Sequence, residues 1–230
     1  MKNVPKESLK TAVLMTVLVI AAVILVATVD VQPLGVQGTN IGFATINTGF
    51  FNRYGQKEVF YKISTAAGLL CFATAGGFGC FFLYQLIQRK SLSKVDRNLT
   101  VMMGMYVMVM IIYVFFDKIL IINYRPVLRD KGLESSFPST HTMIAWAVMV
   151  SAIDQWNIYI NNQKLLTAAV ILSFTVLLAV IICRTLSGVH WLTDISGGIL
   201  FGDMLVAWYR YLLGRAHPET EKKKSRKNRK

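Results

Sequence analysis

Apolar residues run along this chain in long blocks broken by short polar stretches. Residues 9–28 hold one charge, Lys10, at their edge, and residues 59–88 hold only Lys62. Residues 99–116 and 165–183 hold none, and residues 136–153 hold only His141 as an ionisable side chain. Residues 191–213 hold Asp194, Asp203 and Arg210. A bilayer core of about 30 Å takes roughly 20 helical residues, and each block is close to that length except the second, which is long enough to tilt or to begin outside the membrane. The pattern predicts an all-α, polytopic membrane protein: a six-transmembrane-helix bundle in one domain, residues 1–213, followed by a basic cytoplasmic tail, residues 214–230. The first block is longer than the core of a cleaved secretory signal, and no small-residue cleavage site follows it, so it is read as a retained helix.

Composition agrees. The chain is 54% hydrophobic and 16% charged, with a mean hydropathy of +0.48, against about 25% charged residues in soluble domains. The net charge of +13 is unevenly placed: nine of the 25 basic residues lie from Arg210 onward. Such a tail suits a solvated cytoplasmic segment near anionic headgroups and argues against a nucleic-acid partner. Segments 1–10, 89–98, 154–164 and 210–230 together carry 17 of the 25 basic residues. By the positive-inside tendency both termini then face the cytoplasm, N-in/C-in. Cys71, Cys80 and Cys183 fall in apolar blocks at no metal-ligand spacing and are read as buried free thiols.

The polar residues that interrupt the blocks carry the chemistry. Lys118 is followed by Arg125-Pro126, then by Pro138-Ser139-Thr140-His141, then by Arg184, His190 and Asp194. Under the six-helix topology all of these fall at the outer face. His190 and Asp194 are four apart and share a helix face; a carboxylate on one ring nitrogen leaves the other as a lone-pair nucleophile. Lys118, Arg125 and Arg184 are cations beside the apolar phase, where an anion is needed to offset them, and Arg offers a planar fork that fits phosphate oxygens. Pro138-Ser139-Thr140-His141 reads as a helix start, with Pro in the first turn and free N–H groups that seat an anion. Taken singly, each piece has an ordinary reading: a capping carboxylate, snorkelling cations, a helix cap. Their order and common side point to phosphate-ester chemistry.

These motifs resemble those of the type-2 phosphatidic acid phosphatase family of integral membrane lipid phosphatases. Lys118, Arg125 and Pro126 match its first motif; Pro138, Ser139 and His141 its second; Arg184, His190 and Asp194 its third. Thr140 replaces the usual Gly and Cys183 the usual Ser. The resemblance implies His190 as the nucleophile forming a phosphohistidine, Asp194 as its orienting partner and His141 as proton donor to the leaving oxygen. It further implies Lys118, Arg125, Ser139, Thr140 and Arg184 as the phosphate-binding set, with no metal and no cofactor.

The implied substrate is a lipid phosphate monoester or pyrophosphate, such as undecaprenyl pyrophosphate, phosphatidylglycerol phosphate, phosphatidic acid or diacylglycerol pyrophosphate, with undecaprenyl pyrophosphate favoured. The expected setting is a bacterial plasma membrane with the site on the extracytoplasmic side. Two alternatives stay open: a phosphotransferase using the same intermediate, and a non-enzymatic lipid transporter or binding protein. Asp203, nine residues past Asp194, faces roughly the other side of its helix and is assigned a structural role. His217 is assigned none in catalysis. The loop of residues 29–58, rich in Gly and aromatic residues, reads equally as a connector or as part of a lipid entrance.

Overall fold

The computed structural model describes residues 4–128 and 132–216. Seven α-helices account for most of them: α1 (Val4–Thr28), α2 (Ala44–Tyr54), α3 (Glu58–Arg89), α4 (Arg97–Val114), α5 (Thr140–Tyr159), α6 (Gln163–Leu186) and α7 (Leu192–Ala216). A π-helical turn, Phe115–Ile119, extends α4. The six long helices coincide with the six apolar blocks. Four stretches are long and apolar enough to cross a membrane: Ser8–Thr28, Glu58–Arg89, Arg97–Ile119 and Gln163–Leu186. The remaining two, α5 and α7, carry more polar side chains because they form the interior. α5 packs against α3, α4, α6 and α7, and α1 lies along α7. The outer surface stays apolar, with Ile87, Leu172 and Val17 exposed, as hydrocarbon surroundings demand and water would not tolerate.

The α5–α7 seam is close because small residues line it. A Cβ on Gly198 would meet the Ser139 carbonyl oxygen at 2.7 Å, and one on Gly202 the Trp146 Cβ at 2.6 Å. Only glycine lets the two backbones approach this far. Asp203 accepts the Trp146 indole N–H across the same seam, at 3.3 Å, which gives that carboxylate a structural partner. At the end of the bundle away from the motifs, Asp96 accepts from Gln85 (2.8 Å), Arg89 (2.7 Å) and Tyr159 (2.9 Å), while Gln155 joins Asn98 to Tyr209. These bonds pin α3, α4, α5 and α7 where the burial of polar groups would otherwise cost stability.

Three expectations need correction. α5 starts at Thr140 with Ser139 as its N-cap, so Pro138 sits before the first helical turn and not in it. Cys80 is exposed on α3, while Cys71 and Cys183 are buried; a residue in an apolar block that faces outward is solvated by hydrocarbon. His190 precedes α7, which starts at Leu192, so it does not share a helix face with Asp194. In the 29–58 segment Gln32 and Ile41 form an antiparallel bridge, and α2 follows as a short helix against the start of α7. His217 and residues 217–230 of the tail lie outside the described residues.

Candidate active site

The C-terminal ends of α4 and α6 and the N-terminal ends of α5 and α7 meet at one end of the bundle. Their meeting is held by backbone and side-chain bonds. Ser139, the cap of α5, donates its N–H to the Asp194 carbonyl in the first turn of α7 (2.9 Å). Beneath them Phe116, Phe137 and Phe201 pack edge to face, with centroids 5.2–6.4 Å apart, an arrangement favoured by the ring quadrupole. This aromatic floor ties the end of α4 and the approach to α5 onto α7.

Above the floor lies a cavity of about 770 Å³. Lys118, Arg125, Thr140, His141 and His190 are among the polar groups that line it, beside Asp117 and Glu134, and Phe72, Met110, Tyr113 and Ile144 are among the apolar ones. Thus motif residues separated by up to 72 positions line one cavity. His141 lies within electrostatic reach of Arg184, His190 and Arg125, and His190 within reach of Arg125 and Arg184.

His190 sits in the short connection between α6 and α7, almost fully buried. Its Nδ1 is 3.5 Å from Asp194 Oδ2, a long contact of the kind that tightens when substrate binds. The same Oδ2 accepts the Trp191 N–H at 2.8 Å, and Oδ1 accepts from Asn123 Nδ2 at 3.4 Å. Burial first, and then the guanidiniums of Arg125 and Arg184, hold the His190 imidazole well below its usual range. The ring is therefore held neutral.

The connection is shaped by Gly188, at φ +66°, and a Cβ there would lie 2.4 Å from the Gly55 carbonyl oxygen. Lys57 donates its N–H to the Ser187 carbonyl at 3.2 Å, fastening the other side of the turn.

The cations are placed unequally. Arg184, 1% exposed in the last turn of α6, stacks over the Tyr61 ring at 5.1 Å, a cation–π contact that offsets part of its burial. Arg125 lies in the loop after α4, with Nε 3.1 Å from Glu134 Oε2; its N–H donates to the Glu134 carbonyl at 3.0 Å. Lys118, in the π turn, is 74% exposed and pairs with Asp117 at 2.8 Å, so it stands at the cavity mouth. Thr140 lines the cavity, but Ser139 is fully buried and its hydroxyl lies 3.0 Å from that of Thr142. Ser139 thus reaches this site through the helix cap, with its hydroxyl turned inward. Sequence reasoning did not find Asn123, Glu134, Asp117, Tyr61 or Asn47; each acts through a partner remote in sequence or sits beside a motif without belonging to it.

The PAP2 superfamily model matches residues 101–218. The chain belongs to the PAP2 superfamily. The matched region begins inside α4 and runs through α7, so it holds every PAP2 motif residue and all four helix ends that build the cavity. The fold extends the likeness further. The crystal structure of the first transmembrane PAP2 type phosphatidylglycerolphosphate phosphatase from Bacillus subtilis aligns with a TM-score of 0.61, covering 91% of this chain and 97% of that one. Identity between them is 16%, so the likeness is one of fold, and it brings α1–α3 within the PAP2 membrane architecture. No curated protein sequence matches significantly.

Proposed function

We propose that this PAP2-family protein is a membrane lipid phosphatase that hydrolyses a lipid phosphate monoester or pyrophosphate through a phosphohistidine. The observation that carries the reading is the mixed lining of one cavity: Lys118, Arg125, His141 and His190 share it with Phe72, Met110, Tyr113 and Ile144. A lipid phosphate combines the same two kinds of surface. With six helices crossing the bilayer and both termini inside, the cavity lies at the outer leaflet, and the 29–58 segment forms part of its surround.

In this reading Arg125, Arg184 and Lys118, with the N–H groups at the start of α5, hold the phosphoryl oxygens. Phosphoryl transfer spreads charge over three equatorial oxygens, and fixed donors aimed there lower the barrier. The free ring nitrogen of His190 attacks phosphorus while the bond to the lipid oxygen breaks. His141, protonated once the bound phosphate offsets the charges of Arg125 and Arg184, gives its proton to that oxygen. Asp194 steadies the cationic imidazole that results. Water then attacks the phosphohistidine, His141 takes the proton from it, and phosphate leaves with His190 restored.

The substrate class is best read by a panel of undecaprenyl pyrophosphate, phosphatidylglycerol phosphate, phosphatidic acid and diacylglycerol pyrophosphate in detergent, with phosphate release measured for the wild type and His190→Ala. Release from at least one lipid is expected, led by undecaprenyl pyrophosphate, with His190→Ala inactive on all. Full activity in purified His190→Ala would remove the nucleophile assignment, and transfer to an added alcohol in place of release would favour a phosphotransferase.

A further inference from the structure

We propose that Asn123 is a positioning residue for the His190–Asp194 pair and that, with Asn47, it makes the geometry of that pair depend on the outer segment 42–57. The proposal rests on the reading of His190 as nucleophile. Asn123 is fully buried two residues before Arg125, behind the cavity wall and not among the residues that line it. Three of its polar groups have partners. Its Oδ1 accepts the Gly42 N–H at 3.1 Å, its Nδ2 donates to Asp194 Oδ1 at 3.4 Å, and its carbonyl accepts the Ser136 N–H at 2.9 Å.

The two oxygens of Asp194 are therefore divided. Oδ2 serves the Trp191 N–H and faces His190; Oδ1 serves Asn123. A planar carboxylate held at both oxygens resists turning about its Cβ–Cγ bond, so Asn123, with the Ser136 side chain also within reach of Asp194, sets the plane that Asp194 presents to the imidazole. The outer segment grips the neighbouring residue as well. Asn47, also buried, donates to the Gly42 carbonyl (2.8 Å) and to Thr193 Oγ1 (2.9 Å), and accepts the Thr193 N–H at 3.2 Å. Two asparagines thus bracket residues 193 and 194, and Gly42 links one to the other. An amide fits both places because each needs a donor and an acceptor on one short side chain.

The isosteric change Asn123→Asp separates positioning from packing. It keeps the shape and the acceptor for Gly42, and it turns the donor facing Asp194 into a second carboxylate oxygen. Expected is a fall in kcat of roughly 10–100-fold, the scale seen when the outer partner of a metal-bound imidazole is lost, with KM within about twofold because Asn123 touches no substrate. Asn47→Asp, which loses only the two donated bonds, should lower kcat in the same direction by less. Where Asn123→Asp does not fold, as judged by gel filtration in detergent, Asn47→Asp decides. Unchanged kcat in the folded variants, or a rise in KM at constant kcat, overturns the proposal. His190→Ala in the same assay keeps the two readings apart: if it is inactive while the asparagine variants are fully active, only the positioning role is lost.

Discussion

Gly188→Ala offers a sharp test of how tightly the His190 turn is built. Gly188 has φ +66°, and a left-handed conformation costs a non-glycine residue about 1–2 kcal/mol. The added methyl would also lie 2.4 Å from the Gly55 carbonyl oxygen and 2.9 Å from Gln56 Cα, where ordinary contact begins near 3.4 Å. Both obstacles are backbone and cannot swing aside, so the surfaces must part by about 1 Å; overpacking of this kind costs about 1–3 kcal/mol. Together the two effects predict a loss of roughly 2–5 kcal/mol if the turn stays in place.

If the turn yields instead, His190, two residues on, moves with it, and a shift near 1 Å can cost about 100-fold in rate. Gly38→Ala is the control: it has φ +76° and open space around it, so it carries backbone strain without the clash. Thermal unfolding in detergent and kcat for phosphate release would be measured for both. Gly188→Ala should show a lowered midpoint, a kcat down about 100-fold, or both; Gly38→Ala should retain its activity. A Gly188→Ala protein within twofold of wild type in both measurements would refute the claim that this turn is held rigidly against residues 55–56.

Three further outcomes are expected. Arg125→Lys loses the planar fork while keeping the charge, and kcat/KM for phosphate release should fall by roughly 10-fold or more; an unchanged value would remove Arg125 from the phosphate-binding set. His190 is held below its ordinary value in the fold, so below about pH 6.5 the unfolded chain takes up a proton that the folded chain does not. Its contribution to stability is then complete above that pH and is lost as pH falls beneath it, and the unfolding midpoint of wild type should drop between pH 7 and pH 5 more than that of His190→Gln; parallel curves would contradict the assignment. EDTA should leave activity almost unchanged, since the cations of the site are side chains; strong inhibition reversed by a divalent metal would count against that mechanism.

The six long helices were legible because each follows an apolar block, four of them long and apolar enough to cross a bilayer. The motif residues were legible because their types recur in a fixed order beside helix ends, although His190 meets Asp194 from the connection before α7 and not across a helical turn. α2 was not, since its eleven residues are amphipathic at best and gain their order from Asn47 reaching Thr193, 146 positions away. Glu134 and Asp117 were missed for another reason. A carboxylate next to a phosphate-binding cation runs against the expected charge pattern, and only the fold shows that each is the partner of an adjacent motif cation. Ser139 was read by type, as a hydroxyl aimed at an anion. Its rotamer, set by Thr142 one turn along α5, points elsewhere.

The most direct test of the central claim is to capture the intermediate. The purified protein would be mixed with a lipid carrying a radiolabelled phosphoryl group, quenched in base within one turnover, digested, and the labelled peptide sequenced. The account predicts acid-labile label on His190, appearing before free phosphate and absent from His190→Ala. Turnover by wild type with no labelled protein at any quench time, or label on another residue, would contradict it.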